Sequence, residues 1–171
     1  GATDISATAT AQNQNNLGPG TYTVVVTDNN GCTETESYTL TEPDALSLSS
    51  TKVDFNGFNI SCNGALDGEI DLIVTGGTSS YTYAWSTSNG SGLALTAQDQ
   101  SGLSAGTYTV KVTDTNNCDI SDTFTITQPP PLVLTAVLSD FNGFNITCNG
   151  VSDGAIKNVI VSGGVSTYTY A

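Results

Sequence analysis

Residues Thr107–Cys118 read TYTVKVTDTNNC, and residues Thr21–Cys32, lying 86 positions earlier, read TYTVVVTDNNGC. In each stretch every second residue is aromatic or branched apolar, the two-residue period of a strand with one buried face. Tyr108, Val110 and Val112 share a face, as do Tyr22, Val24 and Val26. The two copies also orient that face. Lys111 stands where the earlier copy has Val25, so this position accepts a charge and points outward. The Tyr-Val-Val face therefore points inward. Asp, Asn and Gly then close the stretch as turn residues do. Beyond the turn, TFTITQP places Phe124 and Ile126 on one face before Pro129 stops the strand.

The duplication runs on in both directions. Gly20 corresponds to Gly106, Cys32 to Cys118 and Pro43 to Pro129. DFNGFNISCNG (54–64) returns as DFNGFNITCNG (140–150), and Asp67-Gly68 as Asp153-Gly154. After that the spacing slips by one residue. GEIDLIVTGG corresponds to the longer GAIKNVIVSGG, so Gly76 pairs with Gly163 and Tyr81 with Tyr168. One extra residue inside a strand predicts a β-bulge, here near Lys157 and Asn158. The period is about 86 residues. Residues 44–129 form a complete repeat unit, 1–43 the C-terminal half of one and 130–171 the N-terminal half of another. Segments this short do not bury a core alone. Completion by flanking units of a longer array is expected, with domain swapping between neighbours as the alternative.

Within the complete unit, LSLS (46–49) alternates after Pro43. GEIDLIV aligns Ile70, Leu72 and Val74, and YTYAW aligns Tyr81, Tyr83 and Trp85. No segment shows helical periodicity. At least five short strands, each with one apolar face, need a second sheet to cover them. The expected fold is all-β: tandem immunoglobulin-like β-sandwich repeats with these residues as core. Trp85 would be buried with a partner for its indole N–H. The other reading of the aromatic residues is an exposed platform on which glycans stack.

Composition narrows the function. Sixteen acidic residues face three lysines, with no arginine or histidine, for a net charge of −13. Such a chain cannot neutralise phosphates, which excludes nucleic acid. Without histidine there is no histidine-based triad or proton shuttle, and no two carboxylates are marked as facing across a cleft. The expectation is a protein that is not an enzyme and requires no cofactor. Calcium is the possible exception, since it takes oxygen ligands from loops. Its candidate ligands are Asp28, Asn30, Asp67, Glu69, Asp114, Asn116 and Asp153. The competing reading is that these are ordinary turn residues. Asn59, Asn89 and Asn145 begin Asn-X-Ser/Thr sequences, acceptors for glycan only where the machinery exists.

Four cysteines, Cys32, Cys62, Cys118 and Cys148, lack the spacing of a zinc knuckle or redox pair. Disulfides are possible, and the pairing is open. Cys62 with Cys118 would staple one unit and leave Cys32 and Cys148 to flanking or complementary units. Cys32–Cys62 with Cys118–Cys148 would instead cross unit boundaries. Free thiols are the third possibility.

CNGALDGEIDLIVTGGTSSYTYAW followed by GLSAGTYTVKVTDTNNCDISDTFTITQPP resembles the SprB-type repeat of Bacteroidetes cell-surface gliding-motility adhesins. The resemblance rests on Cys62, Asp67-Gly68, Gly76-Gly77, Tyr81 to Trp85, Gly106-Thr107-Tyr108, Asp114, Cys118 and Pro129. These features recur at Cys148, Asp153-Gly154, Gly163-Gly164 and Tyr168, and earlier at Gly20-Thr21-Tyr22, Asp28, Cys32 and Pro43. Thr78-Ser79-Ser80 departs from the family, which often has prolines there. The resemblance implies an extracellular, cell-surface filament exported by the type IX system. Its implied partners are adjacent repeat units and the secretion and gliding machinery. Prolines at the junctions, Pro43 and Pro129 to Pro131, restrict the linkers. Together these readings point to a non-catalytic stalk segment of a long adhesin used in surface attachment and gliding. The alternative is a module that binds surface polysaccharide.

Overall fold

In a computed structural model of the chain, residues 12–171 are described; the first eleven residues of the N-terminal half-unit lie outside them. The chain divides into two compact units, Gly1–Asp44 and Ala45–Ala171. All ten strands pair antiparallel, and no helix occurs among the described residues.

The first unit holds β1 (Gly20–Thr27) and β2 (Thr33–Leu40), paired without interruption from Gly20↔Leu40 to Thr27↔Thr33. Asp28 sets the turn by accepting the backbone N–H of Asn30 and Cys32, each at 2.8 Å. Tyr22 is half-buried, and Val24 and Val26 are exposed. A two-stranded ribbon has no second layer to cover its apolar face.

The second unit contains two three-stranded sheets. One orders β3 (Ser47–Lys52), β4 (Gly68–Thr75) and β6 (Gln100–Leu103); the other orders β5 (Thr82–Thr87), β7 (Gly106–Thr113) and β8 (Asp119–Ile126). Their apolar faces contribute to one buried cluster. Ile70, Leu72 and Leu103 come from the first sheet; Trp85, Tyr108, Val110, Val112, Phe124 and Ile126 come from the second. Ile60 joins from the β3–β4 connection. Val74, Tyr81 and Tyr83 pack partly buried against the cluster. Lys111 points outward and pairs with Asp119 at 3.2 Å.

β6 breaks the two-residue period, because Gln100 and Leu103 are both buried although three positions apart. Gly102 at φ +69° turns the strand between them, in a conformation that costs glycine little. The β4–β6 register shifts between Gly68 and Ile70.

A further hairpin, β9 (Val133–Leu138) with β10 (Ile156–Ser162), follows in the same unit. Its register repeats that of β3–β4: Leu134 faces Val161 as Leu48 faces Val74. The register shift falls between Lys157 and Ile160, with Asn158 at φ +50°. The additional residue lies where the duplicated sequence places it.

Candidate functional site

The two ends of the complete unit carry most of its specific polar structure. At one end, Asp114 holds the β7–β8 turn. Its Oδ1 accepts the N–H of Asn116 and Cys118, each at 2.9 Å, and its Oδ2 accepts the N–H of Thr78 at 2.9 Å. Asp114 is 5% exposed. The Thr78 bond first, then those from Cys118 and Asn116, holds its carboxyl below the usual range against the opposing effect of burial. Gly77 fits between this carboxylate and Leu46: an added Cβ would lie 2.7 Å from the leucine and 3.0 Å from Asp114 Oδ2. Leu46 immediately precedes β3, so the chain enters the unit at this end.

At the other end, Asn59 clamps the end of β8. Its N–H donates to Thr127 O at 3.0 Å, while its Oδ1 accepts from the Thr127 N–H at 3.1 Å and hydroxyl at 3.0 Å. Asn63 Nδ2 donates to Pro129 O at 3.0 Å, and Gly64 N to Gln128 Oε1 at 2.8 Å. Asp67 fastens the same loop through Ser61, accepting both its N–H and its hydroxyl. The chain leaves the unit here. Asp153 repeats the Asp67 arrangement with Thr147, and that side-chain bond first, then the backbone one, holds its carboxyl below the usual range.

The calcium candidates therefore divide. Asp28, Asp67, Asp114 and Asp153 direct oxygens at the N–H groups of their own loops. Asn116 donates through Nδ2 to the Thr78 hydroxyl at 2.8 Å. Asn30 contributes its backbone N–H to Asp28, and Glu69 lies exposed on β4. Among the described residues, no three His, Cys, Asp or Glu side chains converge as a metal group.

All four cysteines are free and exposed. Cys118 immediately precedes β8, whereas Cys62 neighbours Asn63, which is bound to Pro129 beyond the far end of that strand. An eight-residue strand spans roughly 25 Å, and a disulfide needs Cα atoms within about 7 Å. The pairing of Cys62 with Cys118 inside the unit is thus corrected by the length of β8.

The aromatic residues of the complete unit form no open platform. Trp85 is buried, donates its indole N–H to Ala97 O at 2.8 Å, and lies 6.1 Å from Phe124 between ring centroids. Tyr81 turns its hydroxyl to Gly76 O at 2.6 Å, and Tyr83 to Gln98 Oε1 at 2.9 Å. The side-chain amide of Asn59 is engaged on both sides, and Asn89 accepts the Thr107 N–H at 2.8 Å.

Gln98, Asp99 and Gln100 have a role that strand alternation does not reveal. Gln98 Nε2 donates to Leu72 O at 2.7 Å, and Asp99 Oδ1 accepts the Leu72 N–H at 2.9 Å. Buried Gln100 accepts the Ala94 N–H at 2.8 Å and donates to Ala94 O and Ala97 O. These side chains fasten a non-repetitive segment to β4 and position the acceptor of Trp85. One sequence signal points to them: TAQDQ (96–100) is the counterpart of TAQNQ (10–14), a match with the same 86-residue offset.

No curated protein matches the chain, and no solved structure does. The family model for the SprB repeat matches residues 58–90 and 144–171. These stretches carry the Cys62 loop, β4 and β5, and then their counterparts; residues 20–43 and 106–129 lie outside them. The repeat carries a general role in adhesion and gliding motility and an extracellular, cell-surface location. The corresponding registers of β3–β4 and β9–β10 agree with the duplication, and two stretches of the chain, 58–90 and 144–171, match the SprB repeat.

Proposed function

We propose that the chain is a non-catalytic structural stalk segment, built of tandem immunoglobulin-like sandwiches, within a longer adhesin. The sheet orders β3-β4-β6 and β5-β7-β8 correspond to the A-B-E and C-F-G strands of such a sandwich. Buried Trp85 occupies the C-strand position. Tyr108, near the start of the F-strand equivalent, donates to Ser104 O at 2.8 Å and lies 2.9 Å from Ser91 O. A tyrosine bonded back to the chain at this corner is a feature of that fold.

The observation that carries the stalk reading is the position of entry and exit. The chain enters beside Gly77 and Asp114 and leaves beside Asn59 and Asn63. Strands of up to eight residues separate these ends. A stalk made of such units in series requires entry and exit at opposite ends. The junction is also tied on both sides, because Pro129 O accepts from Asn63 and Pro130 O accepts from Gly164 N at 2.8 Å. Proline removes φ freedom, and these bonds remove more.

A glycan array paired with small-angle X-ray scattering tests the reading. An elongated particle without glycan hits is the expected result. Saturable binding of one glycan class, lost when exposed residues of the complete unit are substituted, would establish a binding module instead.

A further inference from the structure

We infer that Asn56-Gly57 and Asn142-Gly143 are sites of self-modification, at which the chain converts a side-chain amide to a carboxylate without an enzyme. The inference is independent of the stalk reading. Asparagine followed by glycine is open to this chemistry, because glycine has no Cβ to hinder attack by its nitrogen on the preceding side-chain carbonyl. The chain has six such pairs: Asn30-Gly31, Asn56-Gly57, Asn63-Gly64, Asn89-Gly90, Asn142-Gly143 and Asn149-Gly150. The fold treats them differently.

Two of the pairs are held. Asn63 Nδ2 donates to Pro129 O at 3.0 Å, and the Gly64 N–H donates to Gln128 Oε1 at 2.8 Å. Asn89 Oδ1 accepts the Thr107 N–H at 2.8 Å, and the Gly90 N–H donates to Thr87 Oγ1 at 2.9 Å. Attack at either pair must first break these bonds. Asn56 and Asn142 are instead exposed, and their side-chain amides have no partner among the described residues.

The same two pairs carry a base. The Gly57 N–H donates to Asp54 Oδ1 at 2.6 Å, and the Gly143 N–H to Asp140 Oδ1 at 2.7 Å. This is the reach a general base needs to the proton it removes. Asn56 and Gly57 lie at φ +55° and +93°, and Asn142 and Gly143 at +56° and +90°, a left-handed turn that asparagine and glycine tolerate. Phe55 N–H to Phe58 O and Phe141 N–H to Phe144 O, each at 2.7 Å, close the two turns. Both glycines border open space, since an added Cβ would meet nothing within 4 Å. Asn30 and Asn149 also have free amides, but no carboxylate receives the N–H of Gly31 or Gly150 among the described residues; Gly31 donates to the backbone Asp28 O at 3.1 Å.

The steps balance with water as the one co-reactant. Asp54 takes the Gly57 N–H proton as that nitrogen attacks Asn56 Cγ. The N–Cγ bond forms a cyclic imide, the Cγ–Nδ2 bond breaks, and the proton passes from Asp54 to the leaving nitrogen, which departs as ammonia. Water then opens the ring at either carbonyl, giving an aspartate or an isoaspartate. The isoaspartyl link adds a backbone carbon between Phe55 and Phe58, next to the Asn59 side chain that clamps the end of β8. Each event also adds one negative charge to a chain already at −13.

Ageing the folded chain at neutral pH in heavy-oxygen water tests this, read by peptide mass spectrometry with fragmentation that distinguishes isoaspartate. Label is expected first at positions 56 and 142, with Asn63 and Asn89 at least about tenfold slower because their loops must open. Asp54→Asn keeps an acceptor for the Gly57 N–H but removes the base. It should slow modification of Asn56 by roughly tenfold or more, while Asn142, with Asp140 intact, keeps its rate. Trp85 fluorescence checks that the variant is folded. In urea the lead of positions 56 and 142 should vanish. Equal labelling of Asn63 or Asn89 in the folded chain would overturn the inference, as would a lead that survives in urea. An unchanged or faster rate at Asn56 in Asp54→Asn would overturn the part assigned to Asp54.

Discussion

Tyr108 and Tyr22 stand at equivalent positions with unequal surroundings. The Tyr108 hydroxyl is buried and lies within hydrogen-bonding distance of Ser104 O, Ser91 O and Ser91 N, whereas Tyr22 makes one exposed bond. Tyr108→Phe leaves buried groups unpaired and should destabilise the complete unit by about 1–3 kcal/mol. Tyr22→Phe should leave it unchanged within about 0.5 kcal/mol. Urea titration followed by fluorescence of Trp85, the chain's single tryptophan, distinguishes them; equal losses would contradict the assignment of the corner to the complete unit. Asp114 adds a pH dependence. Its folded pKa lies below the unfolded value, so the stability it contributes is present above about pH 4 and is lost as pH falls through the folded value. Urea midpoints should therefore fall more steeply below about pH 4 in wild type than in Asp114→Asn; parallel profiles would count against this linkage. Tyr108, Val110 and Val112 were legible in the sequence because alternation and the Lys111/Val25 exchange orient β7. Ile60 and Leu103 were not, because Ile60 lies in a loop and Leu103 follows the turn made by Gly102. Gln100 is not marked by strand alternation, yet it is buried, with its amide satisfying the loop around Ala94 and Ala97.

At the scale of elements, β1–β2 and β7–β8 share a register but not a burial pattern. β7–β8 and β1–β2 pair in corresponding eight-residue registers, yet only the first contributes to the buried cluster. Hydrogen bonding within a ribbon does not by itself make it stable, and exchange protection follows buried packing. Amides of β7 should exchange at the slowest rates in the chain. Those of β1 should exchange far faster. Mass-spectrometric hydrogen exchange on peptides from the two hairpins gives the comparison directly, and equal protection would mean that the turn and ladder suffice. The bulge in β10 was readable because two copies differ by one residue against a fixed frame of glycines and tyrosines. β6 was missed for the opposite reason: its four residues include a left-handed glycine and show no period of two.

At the scale of the molecule, the mechanical consequence follows from where the chain enters and leaves the complete unit. Tension applied through Ala45 and Pro129 acts at opposite ends, on a first strand in one sheet and a last strand in the other. β3 is held to β4 by a six-residue ladder and β8 to β7 by an eight-residue ladder. Lys52 Nζ donates to Thr125 O at 3.1 Å and ties the end of β3 to β8. Pulling along the strands loads each ladder in shear, so many bonds must fail together. Force spectroscopy should show one cooperative event with a contour-length gain on the order of 25 nm, the extended length of one unit less its folded length. Reductant should leave that gain unchanged, because all four cysteines are free. A gain that lengthens on reduction would reveal a covalent staple and move the source of strength from hydrogen-bonded ladders to sulfur. Several small steps at low force would instead show that the sheets peel strand by strand, a response unsuited to transmitting load along an adhesin.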